Sequence, residues 1–306
     1  MTVPLGLVDR SERGKLAIGG DEARAALNGI VTNEVEGLTP GTGILAAVLT
    51  PKGKMLGDLR ILDTGDDLLL DMERPALQPV FDAVRHGLVG YRAQLHKRTL
   101  QSGLLSLVGD GARAAAGAPE LPADEHAHVA AAVGGAAVRV IATDLGVDVL
   151  CSAEDTDRVR AALAAAGAAP LAEPAAEILR VESGRPRYGV DLDASVIPQE
   201  AGLNDRAVSF TKGCYVGQET VARLFYKGKP NRHLRGLRLS APVAAGAKLV
   251  LGDREVGTLT SSVLSPALGP IGLALVRREA EPGAELRVGE DGVTAAVVAL
   301  PFTPSS

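Results

Sequence analysis

The chain has 306 residues and a formal net charge of −5, so it is long enough for roughly two or three domains and lacks the basic excess of a protein that coats nucleic acid. No apolar run approaches the roughly 20 residues that span a bilayer, and no secretory signal is visible, so no membrane partner is expected. Cys151 and Cys214 are the only two cysteines, which disfavours a disulfide framework and predicts a cytoplasmic protein.

The first hundred residues predict a helix, three strands, a second helix and a further strand. Asp21 is the predicted cap of a helix over residues 22–28. Pro40-Gly41 and residues 50–53 have the composition of turns. Pro75 suits the first turn of a helix that ends near residue 86. The predicted strands cover residues 43–49, 55–62, 68–72 and 93–100.

The next region mixes strands and helices without strict alternation. Strands are predicted over residues 104–108, 137–142 and 147–151. A helix over residues 153–166 should end at Gly167, and another should cover residues 174–181. The Ala- and Gly-rich residues 109–135 predict a loop with short helical pieces. Mixing without alternation favours an α+β fold over a doubly wound sheet.

The last part of the chain contains six short apolar runs separated by Gly, Pro and Asp. This spacing predicts a small β-barrel or sandwich, with strands over residues 234–239, 248–251, 255–262, 271–276, 285–288 and 293–298. We therefore predict three domains: residues 1–100, completed by 185–229; residues 101–184; and residues 230–306.

Phosphate-binding loops and metal sites find little support. No GxxxxGK[ST] pattern occurs, and the GxG at residues 41–43 lies in a turn before a strand. His126 and His128 are two residues apart, but no Cys or third His lies near them in the sequence. We expect these two histidines to lie in a solvated loop, and we predict no metal site.

Aromatic residues concentrate in one segment of the chain. The protein has only four Tyr and four Phe, and five of these eight fall between residues 188 and 226: Tyr188, Phe210, Tyr215, Phe225 and Tyr226. This clustering favours a site for a flat ring. It is equally consistent with the segment forming the core of the first domain.

Glu182 closes a predicted helix and is followed closely by Gly184. A carboxylate near a helix C-terminus is disfavoured by the helix dipole, so a Glu in this place is a candidate for binding a donor-rich ligand such as a pterin ring. The alternative is a surface Glu without a partner.

Cys214 lies between Gly213 and Tyr215, two residues after Lys212. Gly213 and Gly217 allow a tight turn, and residues 218–223 predict a helix. A thiol near a lysine and a helix N-terminus could ionise and act as a nucleophile or bind a soft metal. The alternative is a buried structural cysteine.

A basic run follows this segment. Six cations and no acid occur between residues 223 and 238: Arg223, Lys227, Lys229, Arg232, Arg235 and Arg238. The run could bind the glutamate tail of a folate or another polyanion. A solvated linker into the barrel explains it about as well.

Lys-Gly-Cys-Tyr-Val-Gly-Gln-Glu at 212–219 resembles the signature of the YgfZ family, folate-binding relatives of the glycine-cleavage T-protein. The resemblance extends to residues 19–23 and 32–35 and to Leu-Thr-Pro-Lys-Gly-Lys-Met at 49–55. It continues through Arg-Val-Glu-Ser-Gly at 180–184, Gly-Val-Asp at 189–191 and Pro-Gln-Glu-Ala-Gly at 198–202. It is weakest over residues 101–170.

The resemblance implies a T-protein-like fold of two mixed α/β units and a C-terminal β-barrel in a ring-like arrangement. It implies that tetrahydrofolate or a one-carbon derivative is bound, with Glu182 as the pterin carboxylate and Cys214 as the functionally important thiol. The residues expected to line the folate site are Tyr188, Lys212, Tyr215, Gln218, Glu219 and Arg223.

The resemblance further implies an accessory role in iron–sulfur cluster assembly or repair, with client or assembly proteins as partners and a link to tRNA modification. Direct binding of nucleic acid is not expected. Aminomethyltransferases carry Asp-Asp where this chain has Gly57-Asp58, so the missing neighbour counts against that activity. The alternative is nevertheless such an enzyme, with Asp58 as its acid/base group. An assembly factor without turnover fits the sequence better.

Overall fold

Two β-sheets and a closed β-barrel contain the strands of the protein in the computed structural model, which describes residues 4–303. These residues form two units. Unit 1 comprises the residues up to Thr50, Leu56–Ala172 and Arg206–Val216. Unit 2 comprises Pro51–Met55, Glu173–Asp205 and the residues from Gly217 onward.

Unit 1 contains both sheets. Its strands are β1 (Gly6–Asp9), β2 (Gly14–Gly19), β3 (Gly43–Leu49), β4 (Met55–Asp63, of which Met55 belongs to unit 2), β5 (Leu68–Met72), β6 (Gln94–Lys97), β7 (Ser102–Val108), β8 (His128–Val133), β9 (Ala136–Ala142), β10 (Gly146–Ser152) and β11 (Ala169–Pro170). One sheet has the order β3-β4-β5-β2-β6 and the other has the order β11-β1-β7-β10-β9-β8.

Seven α-helices accompany the strands in the described part of the chain. They are α1 (Ala23–Asn28), α2 (Leu77–Gly87), α3 (Ala112–Ala115), α4 (Thr156–Ala165), α5 (Glu173–Glu182), α6 (Asn204–Ala207) and α7 (Gln218–Lys227). The first four lie in unit 1. In α4, Val159 and Leu163 are fully buried against the six-stranded sheet, as their spacing of four residues on one helical face allows.

Unit 2 contains the closed barrel. Its strands are β12 (Arg232–Leu239), β13 (Lys248–Leu251), β14 (Arg254–Ser265), β15 (Gly269–Arg277), β16 (Glu285–Val288) and β17 (Val293–Val298). They close in the order β12-β15-β14-β13-β16-β17. Alternate side chains, including those of Leu237, Leu259 and Val297, point inward and form the barrel core. The predicted barrel is therefore confirmed, as is the α+β class.

Three local predictions are wrong. Asp21 does not cap α1, because the helix begins after Glu22 and makes no side-chain cap hydrogen bond. Residues 109–135 are not only loop and helix, since β8 begins within them and pairs with β9. The predicted helix over 153–166 begins with a 3-10 turn over Ala153–Asp155, where the Ser152 side chain accepts from the Asp155 amide.

The strands β1 and β2 have no counterpart among the predicted elements, because their apolar runs are short. The predicted division into three domains, with boundaries after residues 100, 184 and 229, stays a prediction. In the described part of the chain no helix is both long and apolar enough to cross a membrane.

Candidate functional site

The predicted site residues divide between the two units. Unit 1 contains Asp58, Lys212, Cys214 and Tyr215, whereas unit 2 contains Glu182, Tyr188, Gln218, Glu219 and Arg223. Of the aromatic residues that cluster in the sequence, Tyr188 is buried in unit 2 and Tyr215 in unit 1, whereas Phe225 and Tyr226 are exposed.

Lys212 is bound to main-chain oxygens of unit 1. Its Nζ donates to the carbonyl oxygens of Asn28 at 2.6 Å, Val31 at 2.9 Å and Asn33 at 2.8 Å. An ammonium group has three hydrogens, so all of them are used. Burial lowers the pKa of Lys212 to about 8, although Glu34 and Glu36 oppose the shift. The side chain fastens the turn after residue 208 to the end of α1.

Cys214 is exposed while its neighbour Tyr215 is buried. The Lys212 Nζ lies 5.3 Å from the centre of the Tyr215 ring, and burial raises the pKa of Tyr215 to about 12. The turn is thus anchored by a lysine and a tyrosine, with the thiol between them at the surface. Of the two expectations for Cys214, a buried structural cysteine is wrong. Cys151 is the buried one, and burial raises the pKa of its thiol.

A layer of buried and half-buried charges lies close to Asp58 in unit 1. The Asp71 carboxylate accepts from Arg13 Nε at 3.0 Å and from Arg60 Nε at 2.6 Å. Burial alone would raise the pKa of Asp71, but the two guanidinium groups lower it to about 2. Arg13 also donates to Glu73, and Arg60 also pairs with Asp148. We call these five residues the charged layer.

Asp58 adjoins the charged layer but takes no donor from it. Its Oδ1 is buried without a hydrogen-bond partner among residues 4–303. Burial and the nearby Glu73 carboxylate raise the pKa of Asp58 to about 6. A carboxyl group with this pKa can either hold or accept a proton near neutral pH, which is the property of a general acid or base.

Gly57 explains why Asp58 has no acidic neighbour in the chain. A Cβ atom at position 57 would lie 2.5 Å from Ala76 Cβ and 3.1 Å from a Val80 methyl group. The backbone of β4 therefore packs directly against the start of α2 and the residue before it. An aspartate at position 57 would require these segments to separate, so the Asp-Asp pair is incompatible with this packing.

Glu182 lies at the C-terminal end of α5 in unit 2, as the sequence predicts. The Ser265 hydroxyl accepts from the amides of Ala267 at 3.0 Å and Leu268 at 2.8 Å. Its single proton is donated to Glu182 Oε1. Because Ser265 is buried and its two acceptor positions are occupied, this hydrogen bond fixes one oxygen of the carboxylate.

Asp191 joins α5 to the barrel within unit 2. It accepts from Arg180 Nη1 at 2.7 Å, from the Thr260 hydroxyl at 2.6 Å and from the Ser261 hydroxyl at 2.7 Å. The Arg187 amide also donates to it at 3.0 Å. Asp191 is therefore a saturated structural carboxylate, which accounts for part of the polar character of residues 180–191.

Three of the remaining predicted residues of unit 2 lie on α7, and the fourth is Tyr188. Gly217, with φ of 84°, precedes the helix in a left-handed conformation that favours glycine. Glu219 lies in the first turn and is exposed, as is Arg223 one turn later. Gln218 is half-buried. Tyr188 donates from its hydroxyl to the Met55 carbonyl at 3.4 Å. These contacts do not test whether the side chains bind folate, so that role stays a prediction.

In the folded chain, part of the basic run binds residues that lie outside it in the sequence. Arg232 donates from Nε to Glu200 at 3.1 Å and from Nη2 to the other oxygen of that carboxylate at 3.0 Å. Arg238 donates to the Thr303 carbonyl. The acid that pairs with Arg232 lies 32 residues earlier, outside the window in which the sequence pattern was read.

The histidines do not lie in a solvated loop as expected. Both His126 and His128 are buried, and the Arg139 guanidinium donates to His128 Nδ1 at 2.9 Å. Burial and Arg139 lower the pKa of His128 to about 4, so it is neutral at pH 7. Across residues 4–303, no three His, Cys, Asp or Glu side chains are grouped to hold a metal ion.

The two-sheet unit and the closed six-stranded barrel define a T-protein fold. The protein superposes with a TM-score of 0.88 on the crystal structure of glycine cleavage system aminomethyltransferase T from Bartonella henselae. The match covers 99% of this chain and 87% of that one at 22% sequence identity.

Residues 3–212 match the family described as the GCVT N-terminal domain, and residues 232–303 match the glycine cleavage T-protein C-terminal barrel domain. The chain therefore belongs to the glycine cleavage T-protein family. It is similar to the aminomethyltransferase of Saccharopolyspora erythraea, with 31% identity over 97% of this chain and 86% of the relative.

Two further relatives have comparable similarity. The aminomethyltransferase of Rubrobacter xylanophilus is 29% identical over 97% of this chain and 82% of its own length. A putative chloroplastic transferase of Arabidopsis thaliana is 28% identical over 97% of this chain and 71% of its own length. The family expected from the sequence is thus confirmed at the level of the T-protein, and the YgfZ subfamily stays a prediction.

Proposed function

We propose that the protein binds a tetrahydrofolate and supports the assembly or repair of iron–sulfur clusters in client proteins. The observation that carries this proposal is the exposed Cys214, held between the anchored side chains of Lys212 and Tyr215. It lies in the Lys-Gly-Cys-Tyr segment that resembles the YgfZ signature. An exposed thiol is accessible to a partner protein, whereas a buried one is not.

Folate binding is supported by the T-protein family and by Glu182. One carboxylate can receive two parallel hydrogen bonds from the ring NH and amino group of a pterin. The Ser265 hydroxyl fixes Oε1 of Glu182 and leaves Oε2 to accept a ligand donor. The other members of the predicted folate site are Tyr188, Tyr215, Lys212, Gln218, Glu219 and Arg223. Among them Lys212 uses its hydrogens on main-chain carbonyls, so any contribution it makes to a ligand is indirect.

Calorimetric titration of the whole protein with tetrahydrofolate tests the folate proposal. Glu182→Gln should raise the Kd at least about tenfold, because it replaces an anionic acceptor by a neutral amide. Glu173→Gln, an exposed glutamate at the start of the same helix, is the matched control and should bind as the wild type does. No binding by the wild type would overturn the proposal.

Complementation tests the role of the thiol. In cells that lack the native protein, wild type should restore the activity of iron–sulfur enzymes and Cys214→Ser should not. Cys151→Ala keeps Cys214 and removes the buried thiol, so it should restore activity. Full restoration by Cys214→Ser would remove the thiol from the mechanism.

A second candidate function is aminomethyl transfer to tetrahydrofolate, favoured by the names of the relatives and by Asp58. Methylene transfer requires a group that positions or accepts a proton near the attacking amine, and the pKa of Asp58, raised by burial to about 6, suits that role. The packing of Gly57 against Ala76 excludes the second aspartate. Formation of methylene-tetrahydrofolate from an aminomethyl donor, abolished in Asp58→Asn, would establish this activity in place of the first.

A further inference from the structure

A cavity of about 970 Å³ lies within unit 2. Its walls come from residues 190–200 and from strands β12, β14 and β15 of the barrel. The lining includes five cationic side chains: Lys54, Arg232, Arg254, Arg277 and Arg278. It also includes five acids: Asp191, Asp193, Glu200, Glu255 and Glu279.

Four of the five acids are already bound to cations. Glu200 binds Arg232, and Asp191 binds Arg180, which lies outside the lining. Glu279 pairs with Arg254 at 3.1 Å and Glu255 with Lys248 at 3.0 Å. The fifth acid, Asp193, accepts from the Ser195 amide at 2.7 Å.

Two arginines of the cavity have no close ion pair. Among residues 4–303, the guanidinium groups of Arg277 and Arg278 make no hydrogen bond or ion pair, and both side chains are exposed. An acid near them is Glu279, whose pKa is lowered by a backbone hydrogen bond and by the charges of Arg254, Arg277 and Arg278, while its ion pair is with Arg254. Each guanidinium carries five N–H donors in a planar fork that matches a carboxylate or a phosphate. These donors are available to a ligand that enters the cavity.

The register of the barrel places like charges together at this point. Arg232 of β12 lies directly opposite Arg277 of β15 in the antiparallel ladder. Like charges directly opposite each other on neighbouring strands are destabilising. Glu200 pairs with Arg232, whereas Arg277 has no close ion pair, so a bound anion would offset the remaining repulsion.

A third cation converges on the same wall. The Lys54 Nζ donates to the Ser195 carbonyl at 2.6 Å, and Arg232 Nη2 donates to the same oxygen at 3.0 Å. Both positive charges are thereby held at the cavity by one main-chain oxygen, and they help to lower the pKa of the Asp193 carboxyl, chiefly lowered by its hydrogen bond from Ser195.

We propose that this cavity binds a small polyanion with at least two carboxylate or phosphate groups. Arg277 and Arg278, which have no close ion pair, supply two positive charges for such a ligand, and Lys54 and Arg232 line the same cavity. No aromatic side chain lines the cavity, so it offers no stacking surface for a flat ring. Its volume lies in the range of small-molecule sites, about 300–1,000 Å³. The proposal is independent of folate binding.

Calorimetry on the full chain tests the site with two probes, inorganic diphosphate and citrate, which separate phosphate from carboxylate ligands. At least one should bind the wild type with a Kd below about 1 mM, and added NaCl should weaken it. Arg277→Gln and Arg278→Gln should each raise that Kd at least about fivefold. Arg287→Gln, on β16 outside the cavity lining, is the matched control and should bind unchanged.

Thermal unfolding gives a second measurement. Without an anion, Arg277→Gln should melt at the same temperature as the wild type or higher, because it relieves the repulsion with Arg232. The bound probe should raise the Tm of the wild type more than that of the variant. Failure of both probes to bind the wild type, or equal binding by Arg277→Gln, would overturn the proposal.

Discussion

The charged layer of unit 1 and the cavity of unit 2 each bring several acids and arginines together, but they differ in how many of the arginines are paired with an acid. In the layer, Arg13 and Arg60 are both bound to Asp71, and each has a second acid. At the cavity, Arg277 and Arg278 are exposed and, among residues 4–303, make no hydrogen bond or close ion pair.

The difference indicates which groups hold the fold together and which are available to a ligand. An unpaired buried charge costs free energy of folding, and in the layer every arginine is paired with acids. A charge on the wall of an open cavity is solvated and can remain unpaired until a ligand arrives. Asp58 and Glu182 are intermediate. The buried Oδ1 of Asp58 has no hydrogen-bond partner among residues 4–303, and in Glu182 the Ser265 hydroxyl holds Oε1.

Asp71→Asn should have the largest effect, because it breaks the layer. Arg13 and Arg60 would stay buried beside a neutral amide, which should lower the free energy of unfolding by about 3–5 kcal/mol. Chemical denaturation at pH 7 measures this loss. Asp66→Asn, in the exposed turn before the same strand, is the control and should change stability by less than about 0.5 kcal/mol. A small effect of Asp71→Asn would mean that the layer does not stabilise unit 1.

Lys212→Met should have the second-largest effect on the free energy of unfolding. It removes a donor to three carbonyl oxygens at little change in side-chain length, and the cost should be about 2–4 kcal/mol. Amide hydrogen exchange in residues 209–216 should accelerate, since the turn that carries Cys214 loses its anchor. Arg74→Met, which changes an exposed side chain elsewhere in unit 1, is the control and should leave that exchange unchanged.

Asp58→Asn should change how stability depends on pH. The pKa of Asp58 is raised to about 6 in the folded chain, so the folded state binds the proton more tightly than the unfolded state does. The stabilisation from this proton is nearly complete below about pH 4 and is lost as the pH rises through about 6, a loss of about 3 kcal/mol. The variant should not show this loss. Equal slopes for variant and wild type between pH 4 and 7 would contradict the assigned pKa.

Ser265→Ala should have the smallest effect, and it is specific to the ligand. Loss of the hydrogen bond that orients Glu182 should weaken tetrahydrofolate binding by about 1 kcal/mol, or about fivefold. Ser262→Ala is the control. Ser262 lies on the same strand as Ser265 and donates its hydroxyl to the Val243 carbonyl, so its loss should leave the affinity for tetrahydrofolate unchanged. If the wild type binds and Ser265→Ala binds equally well, Ser265 does not position Glu182.

Much of the fold could be predicted from local patterns. The barrel strands differ from the predicted ranges by at most three residues at either end, because Gly, Pro and Asp separate their short apolar runs. The charged residues of the layer gave a weaker signal. Asp71 interrupts the apolar run Leu68–Met72, and a charge in a fully buried strand indicates a paired partner. That partner could not be identified, since Arg13 lies 58 residues away.

The sequence by itself determined the T-protein family and the barrel, and it singled out the segment around Cys214 as a candidate site, because these depend on neighbouring residues and on local motifs. Only the tertiary structure decided that Cys214 is exposed while Lys212 is bound to carbonyls 179 to 184 residues earlier in the chain. It also decided that Arg232 is neutralised and that Arg277 is not. Burial and pairing of charge depend on residues that only folding brings together, so no local pattern reveals them.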